Sequence, residues 1–142
     1  MNHDELYTCM NRGKVASVHK HSCVGWRTPE PGWLTLNVDG SYMAHTGNGG
    51  IGMVLRDSFG GIIFTSCRHL FTCDNALAAE LEACKEGIAL ALEWSSLPFT
   101  VETDSVEAAT MISNPLVDRS QYTALVQEIS AMMRGDIQIK VK

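Results

Sequence analysis

The sequence predicts an α/β domain in which helices flank a mixed, five-stranded β-sheet. Two observations support this prediction. Three strand-like segments separated by turn residues come first, which is typical of an antiparallel meander. Helical segments then alternate with short strands, which is typical of parallel connections with helices packed on the sheet. At 142 residues the chain is long enough for one such domain and its core.

Alternation of apolar and polar residues identifies the strands. Leu34, Leu36 and Val38 alternate with polar residues, so we expect the first strand to bury one face. The stretch from Gly40 to Asn48 is predicted to be a loop, and Asp57 to Gly61 a turn. The predicted strands span residues 33–39, 50–56, 62–68, 99–103 and 137–141.

The helices are predicted from apolar residues at helical spacing. In the longest helix Leu77, Leu81, Cys84 and Ile88 form one apolar stripe. The last helix is expected to bury Leu125, Ile129 and either Met132 or Met133. The predicted helices span residues 75–94, 104–113 and 121–133.

Residues 1–32 differ in composition from the rest of the chain. They are polar and end in Pro29-Glu30-Pro31-Gly32, which is typical of an extended linker. We therefore expect residues 1–32 to be a flexible N-terminal arm and linker, and residues 33–142 to be the folded domain.

Composition limits the possible classes of function. The net charge is −5 with only 11 Lys and Arg residues, which argues against tight binding to a phosphate backbone. No signal-peptide pattern or membrane span is evident, so we expect no membrane partner. Five irregularly spaced cysteines do not indicate a disulfide framework, and Cys67, Cys73 and Cys84 are expected to be apolar packing residues. These features together predict an intracellular protein, nuclear or cytoplasmic.

Three acidic residues stand at positions suited to metal chemistry. Asp39 ends the first predicted strand, Asp104 follows the fourth, and Glu80 lies in the long helix. Phosphodiester cleavage by two metal ions needs carboxylates from separate elements that converge on ions ~4 Å apart, and Mg²⁺ prefers oxygen ligands. Glu80 lies about 60° around the helix from Leu77, at the border of the apolar stripe, where a carboxylate is costly unless another group satisfies it.

Each acid also has an ordinary structural interpretation. Asp39-Gly40 is a common turn dipeptide, and Asp104 with Glu107 resembles a helix capping box. Glu80 could be a boundary residue whose stem covers apolar surface. The joint placement of the three acids favours a site, and Glu102, two residues before Asp104, is a candidate accessory acid.

Three motifs give the chain a resemblance to a known family. The segments Trp26–Ser41, Ala78–Ala83 and Val101–Ser105 resemble the ribonuclease H-like domain of plant reverse-transcriptase-related proteins, which derive from retroelements. The resemblance implies a ribonuclease H-like fold and cleavage of the RNA strand of RNA–DNA hybrids with Mg²⁺ or Mn²⁺. It also implies that Asp39, Glu80 and Asp104 are the catalytic, metal-binding acids.

The sequence departs from the family at its C-terminal end. It ends at Lys142, in or just after the fifth strand, whereas the family continues into a final helix that carries a fourth acid. The resemblance therefore implies a truncated domain with a partial two-metal site, whose activity is weak or lost, and exposed apolar surface near the last strands. The alternative is an inert fold, without a cofactor, that binds a protein partner or forms a homodimer through this C-terminal face. Non-catalytic nucleic-acid binding is a third hypothesis, which the net charge disfavours.

Overall fold

The structure is a computed structural model, and it describes residues 30–114 and 121–142. Within these ranges the chain forms five strands and three helices. The strands are β1 (Leu34–Met43), β2 (Asn48–Arg56), β3 (Ile62–Leu70), β4 (Phe99–Glu102) and β5 (Ile139–Val141). The helices are α1 (Ala76–Trp94), α2 (Val106–Ser113) and α3 (Thr123–Met133). The proposed flexible arm lies mostly outside the described residues.

The strands form one mixed sheet in the order β3-β2-β1-β4-β5. The β1–β2 and β2–β3 pairs are antiparallel, whereas β1–β4 and β4–β5 are parallel. The predicted fold class, a meander followed by helix–strand units, is therefore confirmed. No helix follows β5 in the described part of the chain.

The first hairpin is longer than predicted. β1 continues to Met43 and β2 begins at Asn48, so most of the predicted loop is paired strand. Gly40 pairs with Ile51 in the middle of this ladder, and the interpretation of Asp39-Gly40 as a turn is wrong. Turn propensity is local, and the register with β2 overrides it here.

Helix α1 packs closely against β1 because many of its buried residues are small. Its buried residues include Ala79, Ala83, Gly87 and Ala91. A methyl group added at Gly87 would lie 2.9 Å from Cγ1 of Val38, so the helix backbone nearly touches the β1 side chains. Leu81, Cys84 and Ile88 are buried as predicted, whereas Leu77 is only half-buried.

The helix termini differ in detail from the prediction. Asn75 is the N-cap of α1, and its Oδ1 accepts a hydrogen bond from Ala78 N at 2.8 Å. At α2 the cap is Ser105, whose Oγ accepts from Ala108 N at 3.1 Å, so the capping interpretation of Asp104 is wrong. In α3, Val126 and Ser130 are buried with Ile129, and the predicted Leu125 lies only half-buried.

The strands β4 and β5 do not themselves carry the exposed apolar surface that was expected near the end of the chain. Ile139 and Val141 of β5 pack against the core. In the described ranges, none of the exposed large apolar side chains belongs to β4 or β5. Exposed Leu97 precedes β4 and exposed Val106 begins α2 after it, so among the described residues the exposed apolar surface near the last strands is limited to residues that flank β4.

Two of the described cysteines are free, and one is not. Cys73 and Cys84 carry free thiols. Cys67 is buried, as expected of a packing residue, but it is disulfide-bonded, which was not expected. No described helix is long and apolar enough to cross a membrane.

Candidate functional site

The topology brings the elements that carry the three predicted acids to one edge of the sheet. β1 and β4 are parallel neighbours, and Asn37 lies opposite Glu102, the last residue of β4. The C-terminal end of β4 therefore lies beside the middle of β1, and Asp39 lies inside β1 rather than at its end as predicted. Asp39 lies two residues beyond this pair in β1, and Asp104 lies two residues beyond it after β4. Asp39 and Glu80 are half-buried, and Asp104 is exposed.

Gly40 determines how near α1 comes to this edge. A Cβ at Gly40 would lie 2.5 Å from the carbonyl carbon of Ala79 and 2.6 Å from Glu80 N. Real Cβ atoms essentially never make contacts this short, so the position accommodates only glycine unless the helix moves. The missing side chain lets the backbone of β1 touch the helix at the residue that carries the Glu80 carboxylate.

Both oxygens of the Glu80 carboxylate accept hydrogen bonds. Gly40 N donates to Oε1 at 3.1 Å, and Thr103 Oγ1 donates to Oε2 at 3.2 Å. Gly40 follows Asp39 in the chain, and Thr103 precedes Asp104. The Glu80 carboxylate is therefore held between the two backbone segments that carry the other acids.

The electrostatic environment of Glu80 is unfavourable to its negative charge. Burial is the largest cause that raises the pKa of Glu80 above its usual value, and repulsion from Asp39 and Asp104 raises it further. The hydrogen bonds from Gly40 and Thr103 act in the opposite direction but do not cancel the increase. Both neighbouring carboxylates are therefore near enough to Glu80 to affect its ionisation.

Glu102, the predicted accessory acid, has a different partner. Its Oε2 accepts a hydrogen bond from Asn37 Nδ2 at 3.0 Å across the β1–β4 pair. This contact ties Glu102 to β1 rather than to the Glu80 carboxylate.

The chemical types of the three side chains fit a divalent ion, whereas their positions do not form a metal-binding arrangement. The carboxylates of Asp39 and Asp104, both near enough to repel that of Glu80, supply with it the oxygen ligands and negative charge that Mg²⁺ or Mn²⁺ prefers. In the ranges that the structure describes, no group of three or more His, Cys, Asp or Glu side chains is arranged so that it could hold a metal ion. Coordination by all three acids therefore requires their carboxylates to move closer together.

Two residues of this edge escaped prediction from the sequence. Gly40 was interpreted as a turn residue, and Thr103 as part of a strand. A glycine within a strand often marks close approach of another backbone, and that signal could have identified Gly40. Thr103 carries no such signal, because its role depends on the position of α1.

Comparison with solved structures defines the class of fold. The chain matches the N-terminal RNase H domain of a Mycobacterium tuberculosis protein with a TM-score of 0.69 at 18% identity, over 78% of this chain and 80% of that one. RNase H1 from Halobacterium salinarum matches with a TM-score of 0.65 at 15% identity, over 78% of this chain and 84% of that one. LC11-RNase H1 from a compost metagenome, solved in complex with an RNA/DNA hybrid, matches with a TM-score of 0.68 at 16% identity, over 77% of this chain and 83% of that one. The fold is therefore RNase H-like.

The family is established by sequence. Residues 37–142 match the model of the reverse transcriptase-like family, and the chain belongs to this family. The match includes all three candidate acids. No curated protein matches the chain.

Proposed function

We propose that Asp39, Glu80 and Asp104 bind a divalent cation, Mg²⁺ or Mn²⁺, and that the domain cleaves the RNA strand of RNA–DNA hybrids weakly. The observation that supports this most directly is the double hydrogen bond to Glu80. It places a half-buried carboxylate between the segments that carry Asp39 and Asp104. A purely structural boundary glutamate would gain nothing from two nearby acids that raise its pKa.

A bound cation would stabilise charge that develops on the phosphate during cleavage and would help to generate the attacking hydroxide. The protein's part is to hold the ligands. Glu80 is positioned by Gly40 N and Thr103 Oγ1, and Asp39 and Asp104 would complete the proposed set of ligands. Three carboxylates offer few ligands for two ions, so we expect a low cleavage rate rather than that of an efficient nuclease.

A nucleic-acid substrate is suggested by the fold and by an exposed aromatic residue at the same edge. One structural neighbour was solved in complex with an RNA/DNA hybrid. Phe71 is 81% exposed just beyond β3, whose C-terminal end lies at the same edge of the sheet as that of β1. Exposed aromatic rings are surfaces on which bases stack. The net charge of −5 and the small number of Lys and Arg residues predict weak binding with few ionic contacts to phosphate, and therefore a shallow dependence on salt.

A hybrid-cleavage assay tests the proposal. Purified protein is incubated with a labelled RNA–DNA hybrid at low salt, with Mg²⁺, with Mn²⁺ and with a chelator. We expect slow, metal-dependent cleavage that is lost in Asp39→Asn and retained in Glu93→Gln, which neutralises an exposed carboxylate at the far end of α1. Absence of cleavage at every metal concentration, or equal cleavage by Asp39→Asn, would contradict the proposal.

The alternative of an inert interaction module has no specific support from the described residues. Their exposed large apolar side chains are scattered over several elements, and the last strands contribute none of them. A protein that neither binds Mn²⁺ nor cleaves hybrids would favour this alternative. Sedimentation would then show whether the chain is a homodimer.

A further inference from the structure

Thr103 makes three contacts that join separate elements. Its backbone N donates to Lys142 O at 3.4 Å, which ties it to the end of β5. Its Oγ1 accepts a hydrogen bond from Ser105 N at 3.1 Å and donates one to Glu80 Oε2 at 3.2 Å. The side chain thus connects the β4–α2 junction, which carries Asp104, to the carboxylate on α1.

The direction of the hydroxyl hydrogen follows from these partners. A hydroxyl has one hydrogen to donate and lone pairs that accept. Ser105 N–H is a donor only, so it occupies a lone pair of Oγ1 and leaves the hydroxyl hydrogen for the Glu80 carboxylate. A carboxylate oxygen can accept about two hydrogen bonds or ligands, so one bond from Thr103 leaves Oε2 able to contact a cation.

We propose that Thr103 is a positioning residue for the metal site: its hydroxyl holds Glu80 between the segments of Asp39 and Asp104, in the place where a divalent cation binds. This inference rests on the proposed function. Thr103 does not itself contact the ion. It acts through Glu80, as Gly40 N does on the other carboxylate oxygen.

A purely structural role is the competing explanation. Because Thr103 Oγ1 accepts from Ser105 N, the hydroxyl also stabilises the residue that caps α2. Its loss would then lower the stability of the fold without a specific effect on metal affinity. The two explanations differ in what Thr103→Ser and Thr103→Val do to ion binding in protein that remains folded.

The test measures Mn²⁺ affinity by electron paramagnetic resonance of free Mn²⁺, without nucleic acid, for wild type, Thr103→Val, Thr103→Ser and Asp39→Asn. Valine has nearly the shape of threonine but no hydroxyl, and serine retains the hydroxyl. We expect Thr103→Val to bind Mn²⁺ about 10- to 100-fold more weakly, the usual effect of removing a group that orients a metal ligand. We expect Thr103→Ser to stay within roughly threefold of wild type, because the orienting hydroxyl is retained. Circular dichroism and thermal unfolding of each metal-free variant identify any loss of structure.

The outcomes separate this inference from the proposed function. If wild type binds no Mn²⁺, or if Asp39→Asn binds it equally well, both fail. If wild type binds, Asp39→Asn does not, and folded Thr103→Val binds like wild type, the positioning role alone is refuted. Should Thr103→Val not fold, Thr103→Cys replaces the hydroxyl with a much weaker donor, and affinity equal to that of Thr103→Ser would refute the role.

Discussion

Replacement of Gly40 by alanine tests how the site edge is built. The added Cβ would lie 2.5 Å from the carbonyl carbon of Ala79, which is about 0.9 Å short of the 3.4 Å at which ordinary contact begins. The obstructing atoms are helix backbone, so no side-chain rotation relieves the clash, and α1 must shift. Overpacking of this kind costs about 1–3 kcal/mol, and we expect the upper part of that range because backbone must move.

Two further glycine variants provide matched controls. Gly50→Ala adds the same methyl group to β2, where the nearest atom is the rotatable Oγ of Ser41 at 3.2 Å. Because alanine suits a strand better than glycine, this variant should stay within about 1 kcal/mol of wild type. Gly87→Ala should be intermediate. Its clash at 2.9 Å is with a side-chain atom of Val38, and the gain of about 1 kcal/mol in helix propensity offsets part of the cost.

The assay is urea unfolding followed by circular dichroism, with the free energy of unfolding compared at equal slope. We expect the order of destabilisation Gly40→Ala, then Gly87→Ala, then Gly50→Ala. The shift of α1 should also weaken Mn²⁺ binding in Gly40→Ala, because it separates Gly40 N from Glu80 Oε1. A Gly40→Ala protein as stable as Gly50→Ala would refute the close backbone contact.

Three other predictions concern individual side chains. Burial raises the pKa of Cys84 to about 12 from 9.0, so the stability that the neutral thiol contributes is complete below pH 9 and is lost as pH rises through 12. In urea unfolding, wild type should therefore lose stability relative to Cys84→Ala over that interval. At pH 8 a thiol reagent should label Cys73 but not native Cys84. Asn75→Ala should destabilise the fold by about 1–2 kcal/mol, because it removes the α1 cap and the 2.7 Å hydrogen bond from Asn75 Nδ2 to the Tyr122 hydroxyl. Asn75→Asp should retain the cap and lose less free energy of unfolding in the same measurement. Because the pKa of Glu80 is raised, its favourable contribution to folding is present below its usual pKa and is lost as pH rises through the folded value. Metal-free Glu80→Gln should therefore have a higher melting temperature than wild type at pH 7, and this difference should disappear in acid.

Much of the secondary structure could be predicted because it depends on local patterns. The alternation at Leu34, Leu36 and Val38 and the helical spacing of Leu81, Cys84 and Ile88 each indicate one buried face, and the structure buries all six. The order of strands and helices then restricts the sheet to a meander followed by parallel connections. Asp39 in β1 and Asp104 after β4 could be placed near each other for the same reason, although the sequence did not show that β1 continues beyond Asp39.

The length of the first hairpin could not be predicted, because it depends on pairing between distant residues. Gly40 resembles a turn residue locally, but its pairing with Ile51 keeps it in the sheet. The identity of the α2 cap was also ambiguous, since Asp104 and Ser105 are both good capping residues. The path of the backbone after β4 decides between them, because it places the Oγ of Ser105 where it accepts the hydrogen bond from Ala108 N.

By itself, the amino-acid sequence determined which residues are apolar, where they repeat, and therefore which segments become strands and helices around a shared core. Tertiary structure alone decided the environment of Glu80. Its hydrogen bonds to Gly40 and Thr103 join residues 40 and 23 positions apart in the chain. The physical reason is that hydrogen bonds and carboxylate repulsion act over a few ångströms in space, and those distances exist only after α1 has packed on β1.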